Sequence, residues 1–342
     1  MRAGEWIRRA AGALTGMLAI VSLLADFLSP VEPGAQNLAM FYAPPTGIHL
    51  FDPQSSIRFR PFVYGYRLVD PLNVIYEVDN RTVYPLSFLA PGYSYMILGF
   101  IPSSTHLISG SGYHPLGTDE LGRDVFSRVL SGSRTSLLIV SVGILIYLMI
   151  GLAVGALAGT AGGWLDFALM RFAEFVLALP VLYLILALRA MLPLRMPFTQ
   201  TLLLTAGTIA GVTWPPMARG VRGLVQQLRS AAYVEAADSL GCSRWHVFSR
   251  HMLPALPSFI VAQAVVAAPA FLLGEVVLSF LDVGFRDSGD SWGSMLRGLR
   301  NDTRILTDFW WNLSPLFLIF LTLFCLNAMG RRTTDGERGA TL

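Results

Sequence analysis

From Leu137 to Ala158 the chain runs for 22 residues without a charged side chain. An uncharged run of that length is long enough to cross the hydrocarbon core of a bilayer, and in lipid the backbone polar groups have to be satisfied within the segment, which selects a helix. Five further apolar runs share the character: Ala10 to Leu28 broken by Asp26, Met170 to Ala190 with Glu174 and Pro180, Thr201 to Trp214, Leu256 to Leu281 with Pro269, Gly274 and Glu275, and Leu313 to Met329. With 54% hydrophobic and 14% charged residues, a soluble globular domain is excluded as a reading. The expectation is an all-α membrane protein of six transmembrane helices, with Pro180 kinking the third and Pro269 and Gly274 interrupting the fifth.

Function classes fall away on composition. All 25 basic residues are arginine, so the chain lacks the lysine of a Walker loop and of Schiff-base chemistry. No clustered basic stripe suggests nucleic acid. Cys242 and Cys325 lie far apart in the expected topology, and the five histidines are scattered, so neither a disulfide nor a metal site is expected.

Two stretches stand apart from the apolar runs. Tyr233 to Pro254 is a polar island that reads as two short helices meeting at a corner. Ser230 is expected to cap the first, Gly241 to stop it, and Ser243 to cap the second, with Trp245, Phe248, Ser249 and Met252 on one face. The other stretch is His114 to Leu137, where Gly117, Thr118 and Asp119 form a turn. Gly122, Arg123 and Asp124 are expected to tie it by a charge-assisted hydrogen bond before an amphipathic helix enters the second span. Between the first and second spans, Ile57–Arg60, Phe62–Tyr66, Asn73–Val78 and Tyr93–Leu98 alternate apolar and polar residues, predicting a small β-rich insert over roughly residues 40 to 110.

Glu235-Ala236-Ala237, three residues, Gly241, and Leu253-Pro254 thirteen residues beyond that glycine resemble the EAA loop of bacterial ABC-importer permeases. The segment Arg250 to Pro254, the signature from His114, the Gly-Gly-Trp turn at 162–164 and Ser291-Trp-Gly are similar to the C-type subunit of the dipeptide, oligopeptide and nickel permeases. The resemblance covers about residues 114 to 330. It implies a type I importer permease fold, and the domains read as 1–30 (first transmembrane helix), 31–113 (extracytoplasmic insert, a departure from the shorter segment common in the family), 114–330 (permease core) and 331–342 (cytoplasmic tail, short and frayed). It also implies that Glu235, Ala236, Ala237, Gly241, Leu253 and Pro254 couple to a cytoplasmic ATPase, while Gly117, Thr118, Asp119, Gly122, Arg123 and Asp124 brace the outer face of the pore.

Glu275 reads as a packing acid or a group lining the path, since an ionised carboxylate at mid-bilayer costs roughly 2.5–3.5 kcal/mol. The implied partners are a second homologous permease, two ATPases that bind ATP and magnesium, an extracytoplasmic binding protein and membrane lipid; the chain itself holds no cofactor, metal or nucleic acid. The implied location is a prokaryotic inner membrane with both termini cytoplasmic, the first helix uncleaved and held by Arg2, Arg8 and Arg9. Dipeptides, oligopeptides, nickel chelates, opines and sugars all stay open as cargo. The reading from other classes is an ion-coupled secondary transporter, for which Glu275 is the one candidate acid, or, more weakly, a membrane enzyme, for which no constellation shows.

Overall fold

The structure is a computed structural model, and it describes residues 2–50, 61–97, 100–110, 112–191, 193, 196–285 and 289–339. The chain is mostly helical. After α1 (Arg2–Leu23) and α2 (Ala25–Leu28) come four strands, β1 (Phe62–Asp70), β2 (Ile75–Pro85), β3 (Ser87–Ile97) and β4 (Ile101–Ser109). Then follow α3 (Val125–Ala161), α4 (Gly163–Ala178), α5 (Val181–Ala190), α6 (Phe198–Thr213), α7 (Pro215–Arg229), α8 (Ala232–Ser239) and α9 (Arg244–Val247). The last helices are α10 (Pro257–Phe280), α11 (Trp292–Met295), α12 (Gly298–Asn301) and α13 (Ser314–Gly339).

Among the described residues, three helical stretches are long and apolar enough to cross a membrane: Val125–Ala161, Pro257–Phe280 and Trp310–Gly330. The pair α4 and α5 makes a fourth if read as one broken span, and α6, at 16 residues, falls short of that length. The expected count of six is therefore not reached on length and apolarity alone. The kink expected at Pro180 is a bend of 92°. Leu179 and Pro180 are both extended there, because proline has no N–H to donate and crowds the residue before it out of the helical region. Pro269 does the opposite of what its sequence position suggests. It sits inside α10 without ending it, and Gly274 does not interrupt that helix either. At the other end of the chain α13 continues to Gly339, where a frayed tail was expected.

The chain divides into two compact units. One comprises Met1–Gly12, Leu138–Leu278 and Leu323–Leu342, the other Ala13–Leu137 and Ser279–Thr322. In the first, the glycines of α3 set the packing. The side of α3 that carries Gly151, Gly155 and Gly159 lies against Met217, Ala218, Val221 and Val225 of α7, so close that an added methyl at Gly155 would stand 2.5 Å from the Ala218 carbonyl oxygen. Gly143 makes similar room for the ring of Phe271 on α10, and Tyr147 donates to Gln263 Oε1 at 3.2 Å. This is close packing through small residues, which stabilises helix pairs where the hydrophobic effect is absent.

In the second unit β1 pairs antiparallel with β2, and β3 with β4, as two separate two-stranded sheets. Val63, Leu86 and Tyr113 form a small core beneath them. His106 of β4 is fully buried against the rings of Tyr93 and Tyr95, its Nδ1 2.8 Å from the Asp26 carbonyl and its Nε2 3.0 Å from the Tyr93 carbonyl. That contact ties the second hairpin to α2. The alternating run Ile57–Arg60 lies outside the described residues.

Candidate functional site: the EAA loop and the signature knot

The Glu-Ala-Ala loop hangs from α7. This helix is amphipathic: Pro215, Met217, Ala218, Val221 and Val225 are buried along one side, and polar residues fill the other. Its position on α4 is fixed by a forked ion pair, in which Arg222 donates from Nε and Nη2 to the two carboxylate oxygens of Asp166 while Gln226 Nε2 adds a third bond at 3.3 Å. Two parallel charge-assisted bonds give direction as well as strength. Ser230 then ends α7 by donating to the Gln227 carbonyl at 2.9 Å, so it closes this helix and does not cap the next one as expected.

Helix α8 follows directly. Val234 and Ala237 turn inward, while Glu235 and Ala236 are exposed and Tyr233 is half-exposed. Gly241 stops it in the left-handed conformation at φ 77°, and the Cys242 N–H reaches back to the Ala237 carbonyl at 3.2 Å. That six-to-one closure is the Schellman cap, which glycine adopts at no steric cost. Ser243 starts α9 by accepting from the His246 N–H at 3.3 Å.

The second arm departs from the expected amphipathic helix. After one turn of α9 the backbone widens to a π turn over Phe248–Met252, then tightens to a 3-10 turn over Leu253–Ala255. The changed pitch moves the inward side: Val247, Phe248 and Met252 are buried, and Trp245 is 74% exposed. Leu253 and Pro254 occupy that separate 3-10 turn, and Pro257 opens α10. Trp245, Phe248 and Leu253 face Met149, Ala153 and Leu157 of α3 across an apolar groove of about 550 Å³. Of the six residues expected to couple, Glu235, Ala236, Gly241 and Pro254 are thus at the surface, Leu253 is half-buried, and Ala237 packs inward.

The signature from Gly117 to Asp124 is a knot built around Asp119. One oxygen of its carboxylate accepts the backbone N–H groups of Leu121 and Arg123, both at 2.9 Å, and the other accepts Arg123 Nε at 2.8 Å together with Arg128 Nη1. Arg128 is buried and also donates to Asp290 at 2.6 Å, linking the turn to the approach of α11. The charge-assisted bond expected within Gly122, Arg123 and Asp124 is therefore made by Asp119. Asp124 instead caps α3 through the Ser127 N–H at 2.7 Å and holds His114 Nδ1 at 3.0 Å.

Gly117 and Gly122 have φ of 65° and 69°, and a methyl at Gly122 would fall on the Asn37 carbonyl. Thr118 pairs by backbone with Ala43, and its carbonyl accepts Trp311 Nε1 at 3.0 Å. Asp119, Arg123, Arg128, Arg297 and Tyr42 contribute to the wall of a polar cleft of about 270 Å³. Burial, and then the carboxylates of Glu120, Asp302 and Asp119, push the Tyr42 hydroxyl up to about 12, so it remains a neutral donor.

Glu275 is fully buried on α10. Glu174 pairs with Arg171 at 2.6 Å on the exposed side of α4. Sequence reasoning missed Arg128, Asp290, Arg222 and Asp166, which pair Arg128 with Asp290 across 162 residues and Arg222 with Asp166 across 56. The one usable signal was a charge inside or beside an apolar run. Both cysteines are free, and among the described residues no three His, Cys, Asp or Glu side chains gather as a metal set.

Residues 151–333 match the family model described as binding-protein-dependent transport system inner membrane component. The chain is 37% identical over 224 residues to the dipeptide transport system permease protein DppC of Bacillus subtilis, covering 65% of this chain and 67% of that protein. It is 34% identical over 292 residues to the probable D,D-dipeptide transport system permease protein DdpC of Escherichia coli, covering 84% and 92%. It is also 34% identical to the oligopeptide transport system permease protein OppC of Haemophilus influenzae, covering 67% and 70%. Among solved structures, the inward-facing MetNI methionine ABC transporter aligns with 60% of this chain and 96% of that one, at 16% identity and a TM-score of 0.44. With more than half its length under the family model and its apolar helices in place, the chain belongs to the binding-protein-dependent inner membrane components and is a permease subunit of an ABC importer, not an enzyme.

Proposed function

We propose that this permease serves an importer of short peptides and forms half of its translocation pathway. The cargo follows from the dipeptide and oligopeptide permeases it is similar to. In this reading it adopts the type I importer fold with six spans: α1, α6 and the broken α4–α5 pair count alongside the three long apolar helices. Both termini are cytoplasmic. The β-rich segment and the signature knot lie on the outer side, where a binding protein delivers cargo. A second homologous permease completes the pathway, and two cytoplasmic ATPases bind ATP and magnesium.

The observation that carries the mechanism is the mounting of α8. An exposed Glu235-Ala236 pair, ended by Gly241, sits at the tip of α7, and α7 is locked to α3 by close glycine packing and to α4 by the Arg222–Asp166 fork. A short helix held that way moves as one body with the spans behind it. Closure of the ATPases on α8 therefore tilts α7 and, with it, the walls of the pathway. The two conformations differ in what α8 touches, as any ligand-driven shift requires.

Purification of the chain from its native membrane under mild detergent tests the assembly. Recovery of an ATPase with a Walker lysine and a second permease supports it; a chain that emerges alone refutes it. Uptake of a labelled dipeptide by the reconstituted assembly tests the cargo.

A further inference from the structure

Arg189, in the last turn of α5, is fully buried. Its Nη1 donates to the Pro193 carbonyl at 3.1 Å. Among the described residues nothing accepts from Nε or Nη2, although both are shielded from solvent. These two nitrogens form the side-on edge of the guanidinium, whose parallel N–H groups match the two oxygens of a carboxylate. The edge left unused is thus the one suited to bidentate recognition.

A buried cation with unmet donors is costly, and replacing one by a well-packed apolar side chain is commonly neutral or stabilising. The environment adds to the cost. Arg189 lies on the bent α4–α5 pair, which together is long and apolar enough to cross a membrane, and its neighbour α6 buries Thr205, whose hydroxyl also has no partner among the described residues. Ionisable groups kept in such places mark paths for polar cargo.

We propose that the Nε–Nη2 edge of Arg189 receives the C-terminal carboxylate of a transported peptide, an inference that rests on the peptide reading above. A permanent carboxylate from the second permease would need Arg189 at the surface of this chain, and it is enclosed within it. A group enclosed at rest and left without a partner fits a ligand that comes and goes as α5 and α6 part during transport.

The test uses the complete reconstituted importer, comparing wild type with R189M and R189K for uptake of a dipeptide and of its C-terminal amide. The binding protein is the same throughout, so any change in the acid-to-amide ratio belongs to this chain. The wild type should favour the acid roughly tenfold, as loss of a charge-assisted pair implies. R189M should bring that ratio close to one while unfolding at the same temperature as wild type or higher, and R189K should fall between.

R189M retaining the wild-type ratio, with the second permease still bound, overturns the proposal. R189M losing the second permease also overturns it, and assigns the carboxylate to that subunit. If the wild type takes up neither compound the peptide reading falls, and with it the substrate half of this inference, whereas a wild type that transports but does not discriminate refutes the inference alone.

Discussion

Gly155 offers the sharpest test of how α8 is held. A methyl group built there stands 2.5 Å from the Ala218 carbonyl oxygen and 2.7 Å from Val221 Cβ. Those distances are short of ordinary contact by roughly 1 Å. The neighbour that must yield is backbone, so no rotamer change relieves it, and α3 and α7 have to separate. Overpacking of this kind costs about 1–3 kcal/mol, against a gain of about 1 kcal/mol from replacing a helical glycine by alanine. The net expectation for Gly155→Ala is a loss of up to about 2 kcal/mol at the α3–α7 contact.

Gly223, on α7 itself, has nothing within 4 Å of a built Cβ. The same substitution there keeps the propensity gain and meets no clash, so it should be neutral or stabilising. Because α8 follows α7 after only Ser230 and Ala231, Gly155→Ala should also weaken coupling: peptide uptake falls several-fold while ATP hydrolysis by the assembly persists. Thermal unfolding in nanodiscs and paired uptake and ATPase assays read both effects. If Gly155→Ala is as stable and as well coupled as Gly223→Ala, close packing of α3 on α7 is not what holds the lever.

Other expectations follow from single contacts. Arg128→Met strands the Asp290 carboxylate and takes one of the four donors from Asp119, and should cost about 3 kcal/mol, read as loss of folded subunit by fluorescence-detected size exclusion. His106→Ala removes both carbonyl contacts to Asp26 and Tyr93, so limited proteolysis should cut the β3–β4 hairpin faster while the membrane helices stay intact. Gly241→Ala meets no neighbour and should lose only about 1 kcal/mol, from the left-handed backbone alone, whereas a Glu235→Arg, Gly241→Trp double variant should lose uptake; normal uptake in the latter would sink the coupling role.

Much of the helical frame could be read directly. The uncharged run from Leu137 lies wholly within α3, and Gly241 announced the end of α8. The alternating runs at Phe62, Asn73 and Tyr93 overlap β1, β2 and β3. Readings failed where the outcome depended on a distant partner. Ser230 could serve either helix beside it, and its bond to Gln227 decided for α7. Pro180 and Pro269 are the same residue in similar apolar runs, yet one lies at a 92° bend and the other is carried inside α10. Local sequence does not separate them, because a proline within a span is tolerated where its surroundings supply other partners for the freed carbonyl, and those surroundings are distant in sequence.

The same reasoning accounts for the signature knot. Its glycines were legible because φ values of 65° and 69° restrict residue type at the position itself. Asp119 was legible only as a polar turn residue, since its importance comes from Arg128 nine positions on and, through it, Asp290. A carboxylate that accepts four donors is fully satisfied while buried, so the turn gains rigidity without an unmet charge. Arg189 is the opposite case, buried with an edge unmet. The two share burial and charge and differ in satisfaction, and that difference is what separates a brace from a site that waits for a ligand.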